Sequence, residues 1–487
     1  MGEAELINER LKKLEEIKKL GINPYPYSFD VRNHAAELQE KYSKLKKEEQ
    51  TKERAAAAGR IMALRPMGKA GFGNVEDATG RIQFYIREDE VGKENYKLFK
   101  LLDIGDIIGI EGTVFKTKTG ELSLWVKKIT LLTKSLRPLP EKWHGLKDVE
   151  TRYRQRYVDL IMNKDVKDTF ALRAKIINAM REFLDSKGFL EVETPTLQTV
   201  YGGANAKPFL TFHNELKQNM FLSISPELYL KRCIVGGMER VYTICKNFRN
   251  ESIDTRHNPE FTSMECYQAY ADYNDMMKLT EEMVEFICKK VLGTTKVKYG
   301  DAVLDFKAPW KRMRMKDAIK KYYMLDVDKM TDAELREKIR DLKVESGNTR
   351  DEMINAIFED QVEKNLIQPT FITDYPKEIC PLTKVHREDS KLVERFEGFA
   401  SSMELANAYS ELNDPKDQEA RLRKQEEARK KGNEEANPMD ADFVRALEYG
   451  MPPTGGLGIG IDRMVMLLTN SVSIRDVILF PMMKVEK

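Results

Sequence analysis

The chain has 487 residues, 41% apolar and 33% charged, and its 81 Lys and Arg against 79 Asp and Glu leave a net charge of +2. This suits about three domains with a large core and excludes a wholly disordered chain, a collagen-like fibre and a small disulfide scaffold. The near-zero net charge neither demands nor excludes a polyanionic partner, since binding depends on where charge clusters.

No run reaches the roughly 18 apolar residues of a membrane span, so no membrane association is expected. The opening MGEAELINER carries three glutamates and no apolar stretch, unlike a secretory signal. Cys233, Cys245, Cys266, Cys288 and Cys380 form no CxxC pair. That argues against disulfides or zinc and for a cytoplasmic location.

Residues 1–55 begin with Ile7, Leu11, Leu14 and Ile17 at helical spacing, stopped by Gly21 and Pro24. With 12 basic and 11 acidic residues, they read as a solvated helical extension. Over 56–135 the texture becomes GRIMALRP, GRIQFYIRED, IIGIEGTVFK and ELSLWVKKITLL. These short runs predict a small all-β barrel or sandwich, with an OB-type barrel as one form. A linker over 136–156 follows. From Lys134 to Arg156 there are seven basic and three acidic residues, which suits either a solvated connector or a contact with a phosphate backbone.

From 157 to 487 long helical segments alternate with strands, with a charge-rich helical insertion expected around 310–390. Residues 414–436 hold seven basic and seven acidic residues and read as a solvated helix. Ser225-Pro226-Glu227 opens a helix that Gly236-Gly237 closes; Glu227 there serves either the helix dipole or a ligand. VYTICKNFRNESIDTRHNPEFTSMECYQAY reads as strand, polar loop, strand. On the second strand the period of two puts Phe261, Ser263, Glu265 and Tyr267 on one face, near Arg249, Glu251, Arg256 and His257. Such a face suits a planar base with phosphates, or a wet polar sheet. ERFEGFASSMELANAYSELND reads as a hairpin around Ser401-Ser402 with Phe399 opposite Glu404. Glu397 and Glu404 then share a face, as Mg²⁺ ligands near phosphates would. Asn407, Tyr409 and Glu411 join that face only through a bulge near Ala406. GLGIGIDR (Gly456–Arg463) fits neither the dinucleotide nor the P-loop pattern. It reads as a glycine-bearing strand whose arginine stands where a helix begins.

Together these segments resemble the class II aminoacyl-tRNA synthetases, and within them the lysine-specific branch. GFLEVETP (Gly188–Pro195), FRNE with RHNPEF, and GLGIGIDR are similar to the three class II motifs, and GGANAKPF, SPELYLKR, NAYSELND and RDVILFP to segments of the lysine branch. The resemblance implies an α+β architecture: an N-terminal OB-fold anticodon-binding barrel and a class II catalytic domain whose antiparallel sheet is flanked by helices. It further implies a homodimer through motif 1. The activity implied is ATP-dependent activation of L-lysine and transfer of the lysyl group to the 3′ end of tRNA(Lys), with Mg²⁺ as cofactor.

Carried over by position, Arg249 and Arg463 are the catalytic arginines on the ATP phosphates. Glu251, His257 and Phe261 lie on the nucleotide, and Glu397 and Glu404 on the metal. Gly203, Glu227, Glu265, Tyr267, Asn407, Tyr409 and Glu411 surround the lysine, while Phe72, Gln83 and Glu121 meet anticodon bases. The family often has glycines beside Asn407, where this chain has Ala406 and Ala408. An aspartate or asparagine enzyme would need cationic or amide donors where Glu265 and Glu411 stand. A lysyl-transferase acting on protein would lack the barrel, and a non-catalytic RNA-binding scaffold would not keep both arginines and the paired glutamates.

Overall fold

A computed structural model describes residues 2–140, 146, 148–345, 347 and 349–485. The chain forms two compact units, residues 1–147 and 148–487. Residues 141–145 and 147 of the expected linker lie outside the described residues.

The first unit carries α1 (Glu3–Lys19), α2 (Ala35–Lys41), β1 (Gln50–Met67), β2 (Ala70–Glu76), β3 (Arg81–Arg87), α3 (Glu88–Leu101), β4 (Ile107–Lys116) and β5 (Leu122–Thr133). The strands close into a barrel in the order β1-β2-β3-β5-β4. Alternation is the cause: in β3, Ile82, Phe84 and Ile86 are buried while Gln83 and Tyr85 face outward, the period of two expected of a sheet with one dry face. Gly71 and Gly73 sit where a Cβ would collide with the Phe99 and Phe84 rings, so the missing side chains admit the core aromatics.

Two expectations change here. Residues 1–55 are not a solvated extension, because Ile17, Ala35 and Leu38 belong to the barrel core and β1 already starts at Gln50. The apolar stripe was visible, but what it packed against was not. Nor is the barrel region all-β: α3 bridges β3 and β4, adding Val91, Leu98 and Phe99 to the same core.

The second unit opens with α4 (Val149–Arg154), inside the stretch expected as linker, followed by α5 (Arg156–Met162) and α6 (Lys164–Ser186). Then come β6 (Leu190–Glu191), β7 (Leu197–Gln198), β8 (Leu210–His213), β9 (Gln218–Leu222), α7 (Glu227–Val235), β10 (Arg240–Phe248), β11 (Glu260–Ala269) and α8 (Tyr273–Leu292). Next are β12 (Lys296–Tyr299), β13 (Ala302–Asp305), β14 (Lys311–Arg314), α9 (Met315–Tyr323), α10 (Asp332–Leu342), α11 (Arg350–Gln361), β15 (Thr370–Pro376), β16 (Leu392–Ala400) and β17 (Met403–Ser410). The chain ends with α12 (Pro415–Lys430), α13 (Ala441–Glu448), β18 (Thr454–Gly460), α14 (Ile461–Thr469) and α15 (Ile474–Val477).

Eight strands form one sheet, β14-β15-β16-β17-β18-β11-β10-β6. It is antiparallel except at its margins, where β14/β15 and β10/β6 run parallel. The insertion expected at 310–390 is therefore narrower: β14 and β15 are members of the main sheet, and the helices α9–α11 lie between them. Strands bounded by charged helical sequence do not reveal their sheet partners locally.

One face of the sheet packs on α6, α8 and α14 through Met264, Cys266, Ala406, Ala408, Leu457 and Ile459. The opposite parity of the same strands faces the cavity described next.

Candidate active site

Three strands supply most of the site. On β11, Phe261, Ser263, Glu265 and Tyr267 line a cavity of about 420 Å³, alongside Gly456, Gly458 and Gly460 of β18. Ser401 and Ser402 both take positive φ, 50° and 59°, as a primed hairpin turn requires. The turn sets Phe399 opposite Glu404, and a bulge follows, since Gly398 pairs with Ala406. The extra residue, Leu405, switches the parity of β17. Glu404, Asn407 and Tyr409 thus all line the cavity. Ala406 and Ala408 point into the helix-side core, so replacing the family's glycines leaves the face of Asn407 unobstructed.

At one end the site is acidic and dry. Glu265 Oε1 accepts from Ser225 Oγ at 3.0 Å and Oε2 from Tyr267 OH at 3.4 Å. Burial, followed by the nearby Glu227 charge, pushes its carboxyl up to about 8, against Ser225, Arg249 and Tyr267. Glu227 stands at the start of α7, where its backbone N–H donates to Ser225 Oγ at 3.1 Å. Its Oε2 accepts from Tyr409 OH at 2.6 Å, and its Oε1 from Lys231 Nζ at 2.6 Å. Burial raises the Tyr267 and Tyr409 phenols well above their ordinary value, so both remain neutral donors. Gly203 has φ +90°, and a Cβ there would come within 2.8 Å of Ser225 Oγ and 2.9 Å of Glu227 Cβ. Only glycine admits this approach.

Glu411 is placed differently from its fellows. It is fully buried and ion-paired to Lys231. It lies behind Gly456, whose Cβ would collide with its carboxylate and with the Tyr267 ring.

The other end is cationic and wetter. Arg249 lies with its guanidinium 5.0 Å over the Phe261 ring, and its Nε is buried with no hydrogen-bond partner. Burial lowers its pKa against the pull of Glu251, Glu404 and Glu265. An unpartnered buried guanidinium nitrogen is a site for an anion. Arg463 donates to the Glu404 backbone oxygen at 2.9 Å and to its Oε2 at 3.1 Å, and lies 3.3 Å from His257 Nε2. His257 is held through Nδ1 by Asp254 at 2.8 Å. Glu251 is exposed at the cavity mouth. Behind Arg463, Asp462 accepts from the Thr262 N–H at 2.7 Å and from Arg173 at 2.6 Å, locking the strand-to-helix corner.

Between the two ends, Arg395 pairs with Glu397 and donates its Nε to Asn407 Oδ1 at 3.1 Å. That bond turns the Asn407 amide so that its NH₂ remains a donor. Glu397 also accepts from Tyr375 OH at 2.8 Å. Burial, with Arg395 opposing and Glu404 assisting, pushes its carboxyl up to about 7. Glu363 is pushed up to about 8 by burial and then by Glu397, Glu359 and Glu404. Such crowding of acids fits a cation. Among the described residues no group of three or more His, Cys, Asp or Glu is arranged to hold a metal, so Glu397 and Glu404 suit Mg²⁺ only together with substrate oxygens, its usual habit.

The structure thus brings together Gly203, Glu227, Arg249, Glu251, His257, Phe261, Glu265, Tyr267, Glu397, Glu404, Asn407, Tyr409 and Arg463 on one cavity, with Glu411 behind it. Lys231 and Arg395 were missed. Both had a signal: Lys231 is four residues from Glu227 on a helix, and Arg395 two from Glu397 on a strand.

In the barrel unit, Phe72 and Tyr85 are cross-strand partners with ring centroids 4.6 Å apart on the outer face. Gln83 on the same face accepts from Ser123 Oγ at 2.9 Å, and Glu121 is exposed at the turn before β5. Tyr85, Phe115 and Trp125 extend this aromatic patch, with the Tyr85 and Trp125 rings 5.1 Å apart.

Residues 148–484 match the family described as tRNA synthetases class II (D, K and N), and residues 56–132 match the OB-fold nucleic acid binding domain. Similar proteins include the lysine–tRNA ligase of Carboxydothermus hydrogenoformans, 54% identical over 99% of this chain and 98% of that protein. The lysine–tRNA ligase of Clostridium novyi is 55% identical over 99% and 95%. That of Methanoculleus marisnigri is 52% identical over 98% and 94%. The chain belongs to the class II tRNA synthetases (D, K and N).

Proposed function

We propose that the chain is a lysine–tRNA ligase, which activates L-lysine with ATP to lysyl-adenylate and transfers the lysyl group to the 3′ end of tRNA(Lys). The observation that carries the choice of lysine is Glu265. It is half-buried on the cavity wall and hydrogen-bonded only to neutral hydroxyls among the described residues. Such a carboxylate lacks a cation, and a substrate ammonium supplies one. Lys231 is already shared by Glu227 and Glu411, so it is not free to pair with an aspartate side chain.

The reaction needs no side-chain nucleophile. The lysine carboxylate attacks the α-phosphorus in line and pyrophosphate leaves, so the protein's contribution is positioning and charge. Arg249 holds the carboxylate and α-phosphate together, and Asn407 donates to the carboxylate. Glu227 and the backbone at Gly203 hold the α-ammonium; Glu265 and Tyr267 hold the ε-ammonium, with Tyr409 and Glu411 completing the pocket. Phe261 stacks on adenine, Glu251 and His257 bound the nucleotide, and Arg463 neutralises the γ-phosphate. Glu397 and Glu404 would hold Mg²⁺, which supplies charge neutralisation on the phosphates when bound.

In the barrel, Phe72, Gln83 and Glu121 meet anticodon bases, a role supported by their outward face and the adjoining aromatic rings. The working form is a cytoplasmic homodimer through motif 1. Leu190 of that motif is exposed, as are Leu197, Leu210 and Phe212 of the small β7-β9-β8 sheet; unpartnered apolar groups of this kind favour a subunit contact. No helix among the described residues is long and apolar enough to cross a membrane.

ATP–pyrophosphate exchange with each amino acid in turn tests the reading. Exchange with lysine alone is expected; exchange with aspartate, asparagine or norleucine at a comparable rate overturns it.

A further inference from the structure

The acidic end of the cavity presents an accounting problem. Glu227 and Glu411 are buried, and Glu265 is half-buried beside them on the cavity wall. Three like charges in a dry pocket do not ionise together unless something offsets them. Arg249 offsets Glu265 from the cavity side; between the other two lies Lys231, whose ammonium has no solvent exposure. It reaches Glu227 Oε1 at 2.6 Å and pairs with Glu411 on its other side. The Tyr409 and Phe443 rings close over it at 5.5 and 5.9 Å. The charged and titratable groups around it are Glu227 on α7, Glu265 and Tyr267 on β11, Tyr409 on β17 and Glu411 just beyond it, with Arg249 acting on Glu265 and Arg232 also over the Phe443 ring.

We propose that Lys231 is a specificity-determining positioning residue, an internal ammonium that fixes where the Glu227 and Glu411 carboxylates lie and, together with the ammonium groups of the substrate, lets both be ionised. The inference rests on the lysine-site reading above. With all three glutamates ionised, Lys231 brings the pocket to a net charge of −2. Free lysine has two ammonium groups, and its carboxylate is matched separately by Arg249. The pocket and substrate charges therefore cancel.

The local electrostatics show why an internal cation is needed. Burial works against the Lys231 charge, but Glu227 and Glu411 overcome it, so its pKa rises above the ordinary value. Burial raises Glu411 well above the usual carboxylate range even with Lys231 opposing. Without Lys231, Glu411 keeps its proton even when substrate is bound, and its charge no longer adds to that of Glu265, which faces the ammonium. Glu227 meanwhile loses the partner that fixes Oε1 and keeps only Tyr409 on Oε2.

The test compares the unaltered full chain with Lys231→Met and Lys231→Arg. It measures exchange driven by lysine and by norleucine from pH 6.5 to 8.5, the KM for ATP, and a melting curve. Lys231→Met is expected to raise the lysine KM at least tenfold, with a larger defect at pH 6.5 than at 8.5. The ATP KM should stay within twofold, and the preference for lysine over norleucine should fall at least tenfold. Lys231→Arg should restore most of that preference. A folded Lys231→Met chain with unchanged lysine KM and preference overturns the inference, as does an equal rise in the lysine and ATP KM values. Should Lys231→Met fail to fold, Glu411→Gln carries the test, because it leaves Lys231 paired with Glu227 and lowers the pocket to −1. A tenfold rise in lysine KM is then expected, and no rise overturns the inference. Absence of lysine-driven exchange in the unaltered chain would instead remove the lysine-site reading itself.

Discussion

The two ends of the cavity solve opposite electrostatic problems. At the amino-acid end most carboxylate charge already has an internal partner: Glu227 has Lys231 and Tyr409, Glu265 has the Ser225 and Tyr267 hydroxyls, and Glu411 has an ion pair with Lys231 though no hydrogen bond. The phosphate end is unfinished. Arg249 keeps a buried Nε unpartnered, and Arg463 borrows Glu404 and His257. The dry end selects by geometry set before the substrate arrives. On the proposed reading the wet end exchanges partners when a triphosphate binds, as suits groups that stabilise charge during reaction.

The sharpest way to break this comparison is Arg249→Ala. It should cut adenylate formation about a hundred- to a thousandfold, the scale for an electrostatic group at a reacting centre. The melting temperature should hardly fall, since no hydrogen bond to its Nε is lost. Pyrophosphate exchange and a melting curve check both. Glu265→Gln tests the dry end. A hydrogen bond to a charged group contributes about 1.5–3 kcal/mol against about 0.5–1.5 kcal/mol for a neutral one, so the lysine KM should rise roughly tenfold while the ATP KM stays put. A parallel rise in both constants would mean that the two ends are one coupled network.

Phe72→Ala carries the contrast into the barrel. Base–aromatic stacking is worth about 1–3 kcal/mol. Phe72 is half-buried, so the lower half applies, and the tRNA KM should rise roughly tenfold with lysine and ATP constants unchanged. Its ring faces outward beside Tyr85, so the melting curve should not show the large loss of a core aromatic. An early melt with normal charging below the transition would make Phe72 a packing residue.

The smallest effect is on pH. Burial, then Glu227, holds the Glu265 carboxyl at about 8. Below that value Glu265 carries a proton that the incoming ammonium must displace. The kcat/KM for lysine should therefore rise with pH and level off above about 8. For one such proton the gain from pH 7 to 8 is about fivefold. Glu265→Gln should flatten this limb, and a wild-type profile already flat between pH 6.5 and 8 would show that Glu265 binds lysine without losing a proton.

Much of this architecture was legible in local pattern. Alternation along β3 and β11 and the Pro226 and Gly236 limits of α7 follow from short-range physics: side chains alternate across a strand, and proline and glycine limit a helix. The motifs carried the family, and with it the residues expected on the cavity. The role of residues 1–55 was not legible. An amphipathic stripe states that Leu14 and Ile17 are buried, but not that the barrel buries them.

The same limit applied to β14 and β15, whose sheet partners lie far along the chain. It applied most at Lys231 and Arg395. Each sits at a spacing that puts it beside a known glutamate, yet its value depends on a third group from elsewhere: Glu411 for Lys231, Asn407 for Arg395. Backbone pattern is a property of neighbours in sequence, and residues 188–195, 248–261 and 456–463 declared themselves on that basis. Charge balance in a buried pocket sums over α7, β11 and the residue that follows β17, far apart in the chain, and these groups meet only once the sheet has closed. Which carboxylate is spoken for, and which still awaits a cation, is therefore a property of the folded chain.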